Sequence, residues 1–397
     1  MAGTALAGGK VTPNDREEAK LRVTQVVFDL DGGGLETLVG EMVRRWAGTS
    51  ICVSVVTLSG RAGRIGAAVR GLTEQFHVLK PLPGASMVLP LGLARAIRRT
   101  RPDVLHSHSG AWFKSALAAR ISGVRGVVYT EHGREHHDPP MQQRIDRLAA
   151  RWTHTVVPVS DRLGNYMTNA MGLNPAKICP VPNGVDTDRY APGNRDPQMM
   201  AALSLPDDAL VFGSIGRLER VKRYDRMLEA LAAMPAVIGG RPVFLVLFGE
   251  GSARAQLEQR ARALGVSDRV RMPGWVMDTP AAQRVLDVFS LTSESEGMSV
   301  SLLESMSSGA AAVVNAVGAN AELLGPEWSG QVVRDFDPES YRAALHRTLH
   351  DESQRVTMGQ RVRDRVEKHY SLTAMMRAYE SIYRRVASGA MSRRGAS

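Results

Sequence analysis

Short runs that are apolar on both faces recur along this chain. Between them lie stretches whose apolar residues fall three and four positions apart. In the first half the runs at 21–30, 51–58, 74–79, 104–107, 127–131 and 155–159 predict strands, and 35–46 and 112–122 predict helices. Strands apolar on both faces, alternating with amphipathic helices, imply a parallel sheet covered on either side, a doubly wound α/β fold. The alternation ends at 181–183, a stretch with Gly, Pro, Asn and Asp follows, and a second alternating series runs from Leu210 to about Val333. The expected organisation is a disordered lead-in at 1–20, one domain at 21–190, a linker at 191–206, a second domain at 207–370, and a closing helix with a basic tail at 371–397.

Length agrees, since 397 residues are ample for two domains that each bury a core. A hydrophobic share of 44% and a charged share of 23% are those of an ordinary soluble globular protein. Two cysteines, Cys52 and Cys179, each in an apolar setting, argue against a disulfide framework and suit a reducing cytoplasm. No window is apolar for long enough to span a membrane, and residues 1–20 lack a signal-peptide core. The expected location is cytoplasmic.

The most informative segment is ESEGMSVSLLESMSSG at 294–309, which holds two carboxylates eight residues apart, Glu296 and Glu304. Between them Gly297, Met298 and Ser299 run into a predicted helix that begins near Ser299. A helix start presents unpaired N–H groups and the positive end of its dipole. Carboxylates accept paired hydrogen bonds from vicinal hydroxyls. A phosphate beside hydroxyl-rich rings suits both. Upstream, a predicted buried strand ends at Gly216, with Arg217 next and Lys222 five residues later. Cations just past the carboxyl end of a sheet strand sit where such folds bind ligands. The ordinary reading of any one of these residues is a solvated surface group; together they make a site. In the first half, the turn Asp31-Gly32-Gly33-Gly34 follows the first strand and opens a helix, so its N–H groups can approach a phosphate or an acceptor. The glycine spacing is not that of a dinucleotide fingerprint.

In order along nearly the whole chain, these segments resemble the retaining glycosyltransferases of family 4, with the two-domain GT-B architecture. The resemblance is carried by DGGGLETLV at 31–39, DVLHSHSG at 103–110, YTEHG at 129–133, VPVSDRL at 157–163 and VPNGVD at 181–186. It continues through GRLERVKRYDRML at 216–228, LVLFGEGSAR at 245–254, RVRMPGW at 269–275, the carboxylate segment, and VGANAELL at 317–324. The resemblance implies two Rossmann-like domains facing across a cleft, with the last helix crossing back onto the first. It implies transfer of a sugar from a nucleoside diphosphate sugar, expected to be a UDP-sugar, to an acceptor hydroxyl with retention of configuration. Arg217 and Lys222 would hold the diphosphate beside Gly216, and Glu304 would grip the ribose. Glu296 and the backbone of Gly297, Met298, Ser299 and Val300 would hold the donor sugar. His132, with Gly33 and Gly34, would approach from the first domain, and Glu131 and Arg134 would lie on the acceptor side.

Two departures bear on the sugar pocket. Ser299 stands where many family members have Pro, and AAAVV follows Gly309 where Gly-x-Pro-Val-Val is usual. No cofactor is expected. The Asp-x-Asp strings at 29–31 and 186–188 lie beside turns, and His106, His108, His132, His136 and His137 do not make a compact zinc pattern. With two cations to meet the leaving diphosphate, no metal ion is needed. The net charge of +10 comes without a nucleic-acid motif, and aromatics are only 5%, so nucleic acid is not the expected partner. The charge suits attraction of an anionic nucleotide sugar, or peripheral docking on the inner face of an anionic membrane. The expected acceptor is an exopolysaccharide or other lipid-linked glycan, with a small natural-product aglycone second. Loops at 58–71 and 134–143 would shape its pocket. The competing readings are a sugar-nucleotide epimerase of the same architecture and a basic binding module with a vestigial site.

Overall fold

The computed structural model describes residues 20–80, 90–134, 139–334 and 337–392. The lead-in up to residue 19, the tail beyond 392, and His136 and His137 lie outside the described residues.

The first sheet has six parallel strands: β1 (Leu21–Val27), β2 (Ile51–Thr57), β3 (Phe76–Val78), β4 (Val104–His108), β5 (Gly126–Glu131) and β6 (Thr155–Pro158), in the order β3-β2-β1-β4-β5-β6. The second comprises β7 (Leu210–Ile215), β8 (Val237–Ile238), β9 (Arg241–Phe248), β10 (Val270–Gly274), β11 (Val288–Leu291), β12 (Ala311–Asn315) and β13 (Val332–Val333). Its order is β10-β9-β7-β11-β12-β13, and the short β8 pairs antiparallel with β9. Apart from β8 the two orders are the same, and each reverses direction beside its first strand. The central strands are buried along their whole length, as their two-faced apolar pattern requires. The fold is thus the expected pair of doubly wound units.

Three boundaries differ from the sequence reading. The strand expected at 21–30 stops at Val27, because the backbone N–H of Asp31 turns back onto the Asp29 carboxylate at 2.8 Å. The stretch read as a linker at 191–206 is packed. It contains the helix Pro197–Ala202, and Met200, Leu203 and Leu205 enter the main core. Its Pro and Asp are the start of that helix, with Asp196 accepting from the Gln198 N–H at 2.8 Å. The closing helix, expected over 371–388, runs on to Ser392 as Leu372–Ser392.

That last helix belongs to the first lobe. Leu372, Met375, Met376, Tyr379, Ile382, Tyr383, Val386 and Ala387, spaced by three and four, are buried in one cluster with β1, β2 and the helix Gly34–Trp46. Each such side chain stabilises by roughly 1.5–3 kcal/mol on burial, so the helix is held firmly.

Candidate active site

In open parallel sheets, ligands sit outside the carboxyl ends of the strands where the order reverses. Here those places are the ends of β1 and β4 in one lobe and of β7 and β11 in the other. The first pair delivers the glycine turn and His108. The second delivers Gly216 with Arg217 and the segment from Thr292 to Glu296.

Lys222 ends a short 3-10 turn, Arg220–Lys222, and its ammonium donates to Glu296 Oε1 at 2.6 Å. Burial alone would lower the Lys222 pKa, but Glu296 outweighs it and the pKa is raised, so the charge is kept. The Ser293 hydroxyl donates to the same carboxylate oxygen at 2.6 Å. Arg223 holds the lysine loop in place. It adopts a left-handed backbone (φ 50°) and its guanidinium grips Asp225 and Glu294. The Thr292 hydroxyl donates to the Lys222 and Arg223 carbonyls at 3.1 and 2.8 Å, tying the two loops together. Arg217 is exposed beside them, close enough to act electrostatically on Lys222 and on the Glu36 carboxyl of the other lobe.

The Glu296–Val300 loop is pinned from three sides. Asn183, from the VPNGVD motif, donates from Nδ2 to the Met298 carbonyl at 2.9 Å. Ala319 donates its N–H to the Gly297 carbonyl at 2.8 Å, and Gly318 adopts a left-handed conformation (φ 54°) where a Cβ would lie 2.2 Å from the Glu296 carbonyl. From the first lobe, the His132 carbonyl approaches so closely that a Cβ on Gly297 would sit 1.7 Å from it. Only glycine fits there. The helix Val300–Ser307 follows, and Ser299 caps it by accepting from the Leu302 N–H at 3.3 Å. A proline at 299 could not make that bond.

Glu304, on the second turn of this helix, is 7% exposed. Burial raises its pKa to about 7, opposed by hydrogen bonds from Tyr190 and Gln283. A carboxyl held at that value is half protonated at neutral pH and becomes a better acceptor when hydroxyls donate to it.

In the first lobe, His132 follows β5. Burial drives its pKa down to about 3. So weak a base stays neutral and hydrogen-bonds rather than taking a proton. Its Nε2 lies 3.0 Å from His108 Nδ1. Two groups nearby are engaged within the first lobe. Glu131 is 2% exposed, and its oxygens are taken by Ser109, Tyr129 and Arg134 at 2.6, 2.6 and 2.7 Å. Arg134 in turn reaches Asp146 at 2.7 Å. Arg134 thus ties the end of β5 to the helix Pro140–Trp152. The space before the glycine turn is also filled from within. The Glu36 carboxylate folds over Gly33, where a Cβ would sit 2.3 Å from its Oε2, and burial raises its pKa. Gly34 instead meets the other lobe, within 3.1 Å of Val300 Cγ2 for a notional Cβ.

The structure therefore brings together Arg217, Lys222, Glu296, Gly297 and, from the first lobe, His132 and Gly34, with Glu304 a turn behind. The sequence reading missed Thr292, Ser293, Asn183 and Tyr190, which position those groups. Asn183 sat in a quoted motif and had a signal; Thr292 and Ser293 are ordinary residues whose role comes only from where β11 ends. Among the described residues no three His, Cys, Asp or Glu side chains converge as a metal site, and no helix is long and apolar enough to cross a membrane.

Residues 32–189 match the family model Glycosyltransferase Family 4, and residues 196–365 match Glycosyl transferases group 1. Among curated relatives, a UDP-Gal:alpha-D-GlcNAc-diphosphoundecaprenol alpha-1,3-galactosyltransferase of Escherichia coli is 25% identical over 74% of this chain and 78% of its own length. A D-inositol 3-phosphate glycosyltransferase of Geodermatophilus obscurus is 28% identical over 80% and 78%. Among solved structures, HepE of Anabaena in complex with UDP superposes with a TM-score of 0.74 at 18% identity, over 94% of this chain and all (100%) of that one.

Proposed function

This chain belongs to the GT-B glycosyltransferases of family 4, and from that premise we propose a retaining transfer from a UDP-sugar to a hydroxyl of a cell-surface glycan or its lipid-linked precursor. The observation that carries the reading is the Lys222–Glu296 pair, at 2.6 Å, set beside exposed Arg217 at the open end of β7 and β11. Lys222 and Arg217 meet the diphosphate, and its arrival frees Glu296 to accept from a sugar hydroxyl. Backbone donors of Gly297 to Val300 add to that hold, and Glu304 takes the ribose hydroxyls. His132, with a pKa of about 3, is no general base. The acceptor hydroxyl therefore attacks on the face the diphosphate leaves. The bond from the anomeric carbon to phosphate oxygen breaks, the bond to acceptor oxygen forms, and the hydroxyl proton passes to the departing phosphate. No metal ion takes part, because the two cations meet the developing charge. The naming of the E. coli relative for UDP-Gal and of the Anabaena complex for UDP supports a uridine nucleotide.

A calorimetric panel of UDP, GDP, ADP and their sugars, with and without EDTA, tests the donor. UDP binding that survives EDTA is expected; preference for another base, or dependence on a divalent ion, overturns that part. Donor epimerised without any acceptor would favour the epimerase reading. The D-inositol 3-phosphate glycosyltransferase relative gives specific support to a second reading, a small phosphorylated polyol as acceptor.

The basic charge supports peripheral membrane docking. Arg144, Arg147, Arg151 and Lys177 surround Leu148 and Leu173 at a surface hollow of about 690 Å³. Co-sedimentation with vesicles containing phosphatidylglycerol is expected and should fade with added salt. Equal binding to neutral vesicles, or none to anionic ones, counts against docking.

A further inference from the structure

A buried hydrogen-bonded chain runs from the last helix to the cleft. The Tyr383 hydroxyl lies 2.6 Å from His106 Nδ1 and accepts from Gln25 Nε2 at 3.2 Å. Gln25 Oε1 lies 2.9 Å from His108 Nε2, and His108 Nδ1 lies 3.0 Å from His132 Nε2. At its far end His106 Nε2 meets the Thr130 hydroxyl at 2.7 Å. Gln25, His106, His108 and Thr130 are at most 1% exposed, and Tyr383 is 0% exposed.

The amide of Gln25 sets a direction along this chain. With its oxygen on His108, the His108 Nε2 must carry the proton that it donates. The His108 Nδ1 is then a bare acceptor, and the proton between the two rings belongs to His132 Nε2. His132 Nδ1 is left without a proton. It is buried and has no hydrogen-bond partner among the described residues. A bare ring nitrogen in that state costs free energy unless a ligand hydroxyl reaches it.

We infer that Gln25, His108 and Tyr383 are positioning residues that fix His132 with its proton on Nε2, so that Nδ1 faces the incoming sugar as a hydrogen-bond acceptor. Tyr383 makes the docked last helix a structural member of the active site. The contact with a sugar rests on the donor reading above; the fixed tautomer does not. All three rings can stay neutral because burial depresses the pKa of each.

The test is nitrogen-15 NMR of the histidine side chains in the full chain, with the His132 signals assigned by their loss in His132→Asn. The free wild type is expected to show a protonated Nε2 and an unprotonated Nδ1 at His132. A protonated Nδ1 overturns the inference with no variant needed. Gln25→Leu removes the acceptor for His108 and is expected to mix the His132 tautomers and to lower kcat about tenfold with a smaller change in KM. Gln25→Glu keeps an oxygen on His108 and is expected to restore the wild-type pattern. A folded Gln25→Leu protein with an unchanged tautomer overturns the positioning role. Adding a UDP-sugar is expected to shift the Nδ1 signal, whereas UDP alone is not. Binding of the UDP-sugar without that shift overturns the sugar contact. Failure of every nucleotide to bind tells against the proposed donor, while the tautomer is still read in the free protein.

Discussion

Lys222→Ala is expected to cut kcat about a thousandfold while leaving the fold intact and raising the donor KM far less. A preorganised charge aimed at a leaving group acts mainly where charge develops, and loss of one such donor costs on the order of 10²–10³ in rate. Two features push this case to the upper end. The ammonium is mostly enclosed, at 20% side-chain exposure, so water cannot replace it. Its removal also leaves the Glu296 carboxylate, at 10% exposure, with the Ser293 hydroxyl donating to it and no paired cation among the described residues, facing an incoming diphosphate. Exposed Arg217 can steer the donor but stands too open to substitute. Steady-state kinetics with the preferred nucleotide sugar, alongside a melting curve, checks this. A folded variant with wild-type turnover would mean that the diphosphate is neutralised elsewhere.

Glu304→Gln is expected to separate stability from binding. Burial holds the Glu304 carboxyl at about 7 in the folded protein against an ordinary 4.5. Between those values the folded state carries a proton that the unfolded chain has lost. The stabilisation is complete below about pH 4.5 and disappears as pH rises through about 7, a difference of roughly 3 kcal/mol. Glutamine cannot ionise, so the variant should melt increasingly above wild type as pH rises from about 4.5 to about 7, with the gap levelling off beyond that. Nucleotide affinity should fall at least tenfold in the same variant, because an amide offers ribose one acceptor oxygen and no charge. Ribose hydroxyls donating to Glu304 also favour its ionised form. Wild-type binding near pH 7 should therefore release a fraction of a proton, seen as a binding enthalpy that varies with the buffer's heat of ionisation. Buffer-independent enthalpy in wild type would remove Glu304 from the ribose site.

Much of the fold was readable because its signals are local. A parallel strand covered on both sides must be apolar along its length, and the runs that became β4, β5 and β7 say so without help from neighbours. The carboxylate segment was readable for a similar reason: Gly297, the Ser299 cap and the two glutamates sit within one turn and one helix. Residues whose role depends on distant partners were not. Glu131 looked like a free carboxylate beside His132, and only the approach of Ser109, Tyr129 and Arg134 shows that its oxygens are taken. Glu36 carried no signal of its own in the sequence, yet it folds back over Gly33. Gln25 and Tyr383, 358 positions apart, meet only because the last helix returns to the first sheet.

That return has a bearing on how the protein is made. The first sheet leaves the ribosome early, but the cluster under it stays open until Leu372–Ser392 has been synthesised. The second sheet, at 210–333, draws on no later strand, so it can close first. The lobe that begins the chain is the one completed last. Until then β4 and β5 expose the face that the last helix later covers, and in that interval a nascent chain is most open to chaperones and to aggregation.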